Sequence, residues 1–529
     1  LYGHLGGEVL DNLKVGQEIG AGEQFCTVGR SDENGGWPPP LHFQIITALL
    51  GCEGDFPGVA KPSEKRIWLS ISPDPSAMLG LDDGKAAAEE TSPERIRESR
   101  QSHLGPTLSL SYRKPLKIVR GWMQYLYDHE GRQYLDGVNN VPHVGHSCPK
   151  VVEAIQKQSA VLNTNTRYLH ENVTRLAERI TAIMPESLSV CFIVNSGSEA
   201  NDLALRLAAA HTRGTDIITI EGAYHGNLSS LIDISPYKFD GPGGSGIPPN
   251  VQMVPMPDGY RGQHKYESKD AGKLYAGSVQ EAINTIQDRG GKLSAFIAES
   301  MISSGGLIVF PENYLATAYE HIHNAGGVAI ADEVVVGFGR TGSQFWGFEA
   351  QSVVPDIVTL GKPMGNGHPI AAVVTTPEIA SSFDTGMEYF NTYGGNPVSC
   401  AAALAVLDVM EEEKLQQHAA EVGHYLVSQL KQLQGDHPLI GDVRGSGFFI
   451  GVELVKDRET LEPAPQHTAY IAERVKEKGI LISTDGVLGN VLKIRPPMVF
   501  SLENAEFLVS TFDEVLSETF CRQLPPRQD

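Results

Sequence analysis

The sequence of 529 residues lacks any apolar run long enough to cross a membrane as a helix, so no transmembrane helix is expected. Positive charge is scarce as well. Against 64 Asp and Glu stand 42 Lys and Arg, a formal net charge of −22, which opposes binding to a phosphate backbone. Neither a nucleic-acid partner nor a membrane is expected. Paired cysteines are also missing: Cys26, Cys52, Cys148, Cys191, Cys400 and Cys521 are scattered without a CxxC motif, which predicts reduced, mostly buried thiols and a cytoplasmic location. The opening LYGHLGGEVL has neither an initiator Met nor the basic and apolar regions of a signal peptide, so the natural protein is expected to continue upstream. There is no internal repeat or low-complexity tract. What is present is an ordinary globular mixture, 41% hydrophobic and 20% charged, with length for roughly two to four domains.

Residues 1–75 are rich in Gly, Pro and short alternating runs such as QFCTVG and LHFQII, which predicts a small all-β module. Residues 76–104 carry prolines, small residues and clustered acids, the composition of an exposed linker, here ending in a short helix. From residue 105 to 529, short apolar runs (VCFIVN, DIITI, SAFIAE, GVAIAD, DIVTL) alternate with amphipathic stretches, which predicts an α/β fold with a mostly parallel sheet covered by helices. The segment from Ala401 to about Leu433 has helical period, with Glu411 to Glu413 and Lys414 on its polar face. It leads into a smaller α+β subdomain. The large part is expected over about 156–404, and the small part over about 105–155 plus 405–529.

Three places carry candidate chemistry. The run Val190 to Val194 ends in Asn195-Ser196-Gly197-Ser198-Glu199 and opens a helix. Small residues there leave backbone N–H groups, a positive dipole end and a hydroxyl, a cradle for phosphate; the same residues also make an ordinary helix cap. In GVAIADEVVVGFGRTG, Asp332 closes a buried strand, where a carboxylate without compensation is costly and calls for a cationic partner. Taken alone it reads equally as a cap or a salt bridge. In DIVTLGKPMGNGHP, Lys362 follows another apolar strand among glycines; it is either a solvated strand end or a partly desolvated amine suited to Schiff-base chemistry.

In this order the three pieces fit one cofactor, pyridoxal 5′-phosphate: a phosphate cradle, an acid for the pyridinium nitrogen and a lysine for the aldehyde. The motifs NSGSEAND, AYHGNLSSL, ADEVVVGFGRTG, GKPMGNGHPIA and YFNTYGGNPVS resemble, in sequence order, those of the class III aminotransferases, fold-type-I pyridoxal phosphate enzymes. YLDGVNNVPHVGH, LNTNTRYLHEN, SSLIDISPYKF and DGYRG are similar in particular to the ethanolamine-phosphate and phosphohydroxylysine phospho-lyases of that family. The resemblance implies that Lys362 carries the cofactor and takes a substrate proton, and that Asp332 keeps the ring nitrogen protonated. It implies that Gly197 and Ser198 hold the cofactor phosphate, with Thr392 reaching it from the partner subunit of a homodimer. Tyr224 would stack on the ring, supported by His225 and Glu299.

The departures from the family pattern bear on substrate. Where amino-acid aminotransferases of this class usually have an Arg before the C-terminal Pro-Pro, this chain has Lys493, with Arg495 two residues on and able to share its face of a strand. Ser304 replaces the Glu that often covers that Arg. Val335 stands where the family usually has a Gln, and it cannot hydrogen-bond the cofactor. A phosphorylated amine, with its phosphate held by Lys493, Arg495 and Arg167, is therefore the expected substrate, and elimination of phosphate and ammonia the expected reaction. An ω-aminotransferase that passes the amino group to a keto acid is the alternative.

The front segment resembles something else. YGHLGG, VGQEIGAGEQF and GGWPPPLHFQII are similar to the C-terminal half of a lysostaphin-type zinc endopeptidase domain, with Pro40 in place of the first His of the usual pair, while His4 and His42 remain. About two zinc ligands are fewer than zinc prefers, so a degenerate module without metal is expected. A zinc peptidase or cell-wall-binding protein is the alternative of another class.

Overall fold

Seven short strands form the central sheet: β1 Val190–Val194, β2 Asp216–Ile220, β3 Val251–Val254, β4 Leu293–Glu299, β5 Val328–Asp332, β6 Ile357–Leu360 and β7 Ala371–Thr375. They come from a computed structural model that describes residues 91–522, together with the backbones of Tyr2–Gly3 and His42–Phe43, which pair antiparallel. Cys26, Cys52 and the side chains of the endopeptidase-like positions His4, Pro40 and His42 lie outside the described residues. The chain forms two units, Leu1–Ser109 and Leu110–Asp529. In the first, the helix Pro93–His103 starts at Ser92, whose Oγ accepts from Arg95 N at 3.2 Å, and buries no side chain. All seven strands belong to the second unit.

Across the sheet the order is β1-β7-β6-β5-β4-β2-β3. Strands β6, β5, β4, β2 and β3 run parallel, and β7 is antiparallel to both β6 and β1. The mostly parallel sheet read from the sequence is present. Every residue of β4 and β5 is buried, as it must be in strands covered on both faces. Period-two alternation divides their side chains. Phe296 and Ala298 pack with the helices α2, Ala271–Asp288, and α3, Tyr314–Asn324, while Ala295 and Ile297 pack on the other face with Leu203, Ala204 and Leu207. Those two leucines and the alanine lie on the helix Gly197–Thr212, labelled α1.

Strand register places the chemistry. Glu299 pairs with Asp332, and Asp332 with Thr359, so three polar side chains lie level at the carboxyl ends of β4, β5 and β6. In open α/β sheets this end is where ligands bind.

The helical period from Ala401 to about Leu433 is interrupted. Helix α4, Pro397–Glu412, stops and helix α5, Leu415–Asp436, starts after Lys414, which takes a left-handed conformation (φ 51). Four consecutive exposed polar residues, Glu411 to Lys414, span more than one turn, and the buried positions resume at Leu415, Ala419 and Val422 out of step with Ala402, Val406 and Val409. A left-handed turn at a non-glycine residue costs roughly 1–2 kcal/mol, and the turn brings α4 onto the helix Pro149–Ser159 and α5 onto the strand Ile440–Ser446. Beyond it lie a five-stranded antiparallel sheet built around Phe449–Asp457 and a four-stranded sheet containing Ile118–Trp122 and Gln133–Asp136. One core cluster joins Leu135 and Val151 to Leu426, Ile450 and Phe512.

Gly423, in the middle of α5, tests this packing. A Cβ there would lie 2.3 Å from the backbone oxygen of Gly447, which cannot move aside without shifting the turn it belongs to. Alanine gains about 1 kcal/mol in helix propensity, but overpacking against backbone costs about 1–3 kcal/mol. The clash should win. Gly423→Ala is therefore expected to lose about 1 kcal/mol of stability in urea denaturation, and a stabilised variant would contradict the close approach.

Candidate active site

Ser196 starts α1 as its N-cap, its Oγ accepting from Glu199 N at 3.2 Å while Ala200 N bonds the Ser196 carbonyl. The amides of Gly197 and Ser198, in the first turn, have no acceptor within the helix. Gly197 is needed here: a Cβ would stand 2.7 Å from Val334 Cγ1, so any side chain would push the helix start away from the loop after β5. Ser198 Oγ accepts from Asn227 N at 3.1 Å and ties this turn to the loop that carries Tyr224 and His225.

A cavity of about 160 Å³ lies at this helix end, lined in part by Gly197, Ser198, Tyr224, Glu299, Asp332 and Lys362. Seven of the expected site residues thus meet in one place, since His225 lines the same cavity. Lys362 follows β6 by two residues, and its backbone N donates to the Val334 carbonyl at 3.2 Å. Its side chain is open to the cavity, yet protein surrounds the cavity closely enough that burial lowers the pKa of the amine. Arg495 adds to the lowering, and Asp332 and Glu299 oppose it.

Asp332 is 2% exposed, and its partners differ from the expected cation. Its Oδ2 accepts from His225 Nδ1 and from Asn201 Nδ2, both at 2.8 Å, and its Oδ1 accepts from Val334 N at 3.1 Å. No Lys or Arg pairs with it among the described residues. Because the carboxylate accepts, His225 Nδ1 carries the hydrogen, and its other nitrogen, Nε2, is buried without a partner. Glu299 accepts from Ser303 N at 3.0 Å and from Tyr224 N at 3.4 Å. Burial, with Asp332 adding, pushes its pKa up to about 7. Tyr224 is half-buried, edge-on to Tyr237 with ring centroids 6.0 Å apart. Val335 also lines the cavity.

The remaining expected residues divide. Arg495 is buried; its Nη1 donates to Ser303 Oγ at 2.6 Å, and its Nε has no partner. Lys493 is half-buried and held by Asp485 at 2.6 Å. Ser304 gives its carbonyl to Gly486 N. Arg167 is not brought to the cavity of its own chain: it pairs with exposed Glu388 at 3.1 Å and lies over the Phe390 ring. Thr392 is exposed in a loop fastened by Asn391, whose amide donates to Glu199 at 3.1 Å.

The sequence reading missed three residues. Asn201 lies one helical turn beyond Gly197, and Thr359 is the only polar residue of β6, so spacing and strand register carry the signal for both. Ser303 adjoins the Ser304 that drew notice, but only the folded loop turns it toward Arg495.

These groups suit a phosphorylated pyridine aldehyde. First-turn amides and Ser198 suit a phosphate; a carboxylate without an internal cation suits a pyridinium nitrogen; the unpartnered His225 Nε2 and the accessible Lys362 amine are free for further contacts. Among the described residues no His, Cys, Asp and Glu cluster could hold a metal ion.

The pKa of Glu299 makes a prediction. An acid whose folded pKa lies above its unfolded value holds its proton more tightly when folded. The stability it contributes is complete below about 4.5 and is lost as pH rises to about 7. In ligand-free protein, the unfolding free energy of Glu299→Gln relative to wild type should therefore rise over that window. A difference that stays constant with pH would contradict the raised pKa.

Comparison with known proteins agrees with the geometry. The family model described as Aminotransferase class-III matches residues 109–516. The chain is 50% identical over 444 residues to an alanine–glyoxylate aminotransferase 2-like protein of Drosophila melanogaster, covering 83% of this chain and 90% of that one. It is 42% identical to ethanolamine-phosphate phospho-lyase homolog 1 of Caenorhabditis elegans, covering 82% and 95%. A solved phospholyase from Arthrobacter in complex with phosphoethanolamine is 39% identical, with a TM-score of 0.77 over 80% of this chain and 99% of that one. The chain belongs to the class III aminotransferase family, and it is a pyridoxal phosphate-dependent enzyme of the fold-type-I class.

Proposed function

We propose that the chain is an amine phospho-lyase that releases phosphate, ammonia and an aldehyde from a phosphorylated amine such as phosphoethanolamine. The observation that carries this reading is Arg495. It is a buried guanidinium whose charge is felt at Lys362, bonded to the Ser303 hydroxyl rather than covered by a carboxylate, with Ser304 where a covering Glu often stands. An uncovered buried cation favours an anionic group on the substrate, and a guanidinium fits phosphate with charge-assisted bonds. Lys493 is already neutralised by Asp485 and is the weaker contributor. The phospho-lyase relatives support the same reading, because their names carry this chemistry.

The residues then divide the work. Gly197 and Ser198 would hold the cofactor phosphate, Tyr224 would lie against its ring, and Asp332, steadied by His225, would keep the ring nitrogen protonated. When bound, pyridoxal phosphate supplies an electron-accepting ring that stabilises negative charge on the carbon beside the substrate nitrogen. The lowered pKa of Lys362 raises the fraction of its amine that is neutral and would let it take the proton from that carbon. With the substrate phosphate against Arg495, the bond from the neighbouring carbon to the phosphate oxygen breaks, and phosphate carries away the electron pair. Water completes the release of aldehyde and ammonia, so no keto acid is consumed.

An aminotransferase reading is favoured by the names of other relatives and neighbours, the Drosophila protein among them. Incubation with phosphoethanolamine and no keto acid separates the two. Steady phosphate release is expected, with Lys362→Ala inactive and Arg495→Met raising KM by roughly tenfold or more. No phosphate from phosphoethanolamine or phosphohydroxylysine, together with steady alanine from an amine and pyruvate, would overturn the phospho-lyase reading.

We also propose a homodimer. Exposed apolar side chains flank Thr392 and Arg167: Met387, Phe390, Tyr393, Tyr168 and Leu169, the last fully exposed. A second copy would cover this patch and bring Thr392 and Arg167 toward the other cavity. Sedimentation should give a dimer at micromolar concentration, and an active monomer would refute it.

A further inference from the structure

Asn201 is buried on α1 in the wall of the cavity, and the chemistry of its neighbours fixes its orientation. Its Nδ2 lies 2.8 Å from Asp332 Oδ2 and 2.7 Å from the His225 carbonyl, two groups that only accept. The amide nitrogen must therefore face them. Its Oδ1 faces the other way and accepts from Thr359 Oγ1 at 2.7 Å. Thr359 is fully buried beside Asp332 in strand register, so this chain of bonds is closed to water.

The consequence falls on Asp332. A carboxylate oxygen has two lone pairs in the plane, and both of those on Oδ2 are engaged, one by His225 Nδ1 and one by Asn201 Nδ2. Oδ1 has a single donor, the Val334 amide. We propose that Asn201, held by Thr359, is a positioning residue that saturates one oxygen of Asp332 and turns the other toward the cofactor ring nitrogen. Without Asn201 the two oxygens would be more nearly equivalent, and the carboxylate would rotate between them. Thr359 acts one step further out: it satisfies Asn201 Oδ1, which would otherwise be a buried acceptor without a partner.

The inference rests on the reading that Asp332 meets the ring nitrogen, and the test separates the two. Holoenzyme is reconstituted with pyridoxal phosphate carrying ¹⁵N in the ring, and the nitrogen signal and cofactor dissociation are measured in wild type, Asn201→Leu, Thr359→Val and Thr359→Ser. Wild type and Thr359→Ser are expected to show a pyridinium signal. Asn201→Leu should move it toward free pyridine and release cofactor roughly tenfold more readily. Thr359→Val should shift it the same way by less, and it keeps the test open if Asn201→Leu does not fold. A wild-type enzyme without a pyridinium signal would overturn the Asp332 reading and this inference with it. A wild-type pyridinium signal kept unchanged in both Asn201→Leu and Thr359→Val overturns the inference alone.

Discussion

A carboxylate at the end of the central strand, buried and without a cation of its own, is the constraint around which the rest of the site is arranged. Burying Asp332 is costly unless its oxygens are satisfied, and the fold spends His225, Asn201 and the Val334 amide on that task. Each comes from a different element, the loop after β2, helix α1 and the loop after β5. The sheet must hold these elements in register for the carboxylate to be tolerated at all. The parallel strands do so by ending level, with Glu299, Asp332 and Thr359 side by side.

Around this centre, opposite charges are kept apart. Glu299 faces backbone amides, with its pKa raised by burial; Lys362 stands open to the cavity with its pKa lowered; Arg495 is tied to a hydroxyl. An ion pair between Lys362 and any of the acids would neutralise the amine's usefulness as a base. A carboxylate on Arg495 would close the anion site. The network instead leaves the Lys362 amine and the Asp332 carboxylate facing a cavity of about 160 Å³, and leaves Arg495 without a carboxylate partner. Those groups are what a charged cofactor and a charged substrate would engage.

The strands of the main sheet were legible because each is a short apolar run bounded by turn residues, and their alternation with helical stretches implied the parallel arrangement. Gly197, Ser198, Asp332 and Lys362 were legible from their places after apolar strands, and Tyr224, His225 and Glu299 only through the family resemblance; spacing along the chain does not bring residue 197 to residue 332. Sheet register does. The break at Lys414 leaves a trace in the polar run Glu411 to Lys414, which the sequence reading places instead on the outer face of one continuous helix. Asn201 and Ser303 were hidden. Their side chains act on other protein groups, so their meaning depends on which oxygen or guanidinium they face, a matter of folded geometry. Arg167 shows the converse: its motif is clear, yet in a single chain it rests on Glu388 and Phe390 at the surface.

The account depends on Lys362 being the amine that holds pyridoxal phosphate within reach of Asp332. Borohydride reduction of the holoenzyme, followed by proteolysis and mass mapping, reads this directly. The predicted result is a single phosphopyridoxyl adduct on the peptide containing Lys362. An adduct on another lysine, with Lys362 unmodified in enzyme that was active before reduction, would contradict the account.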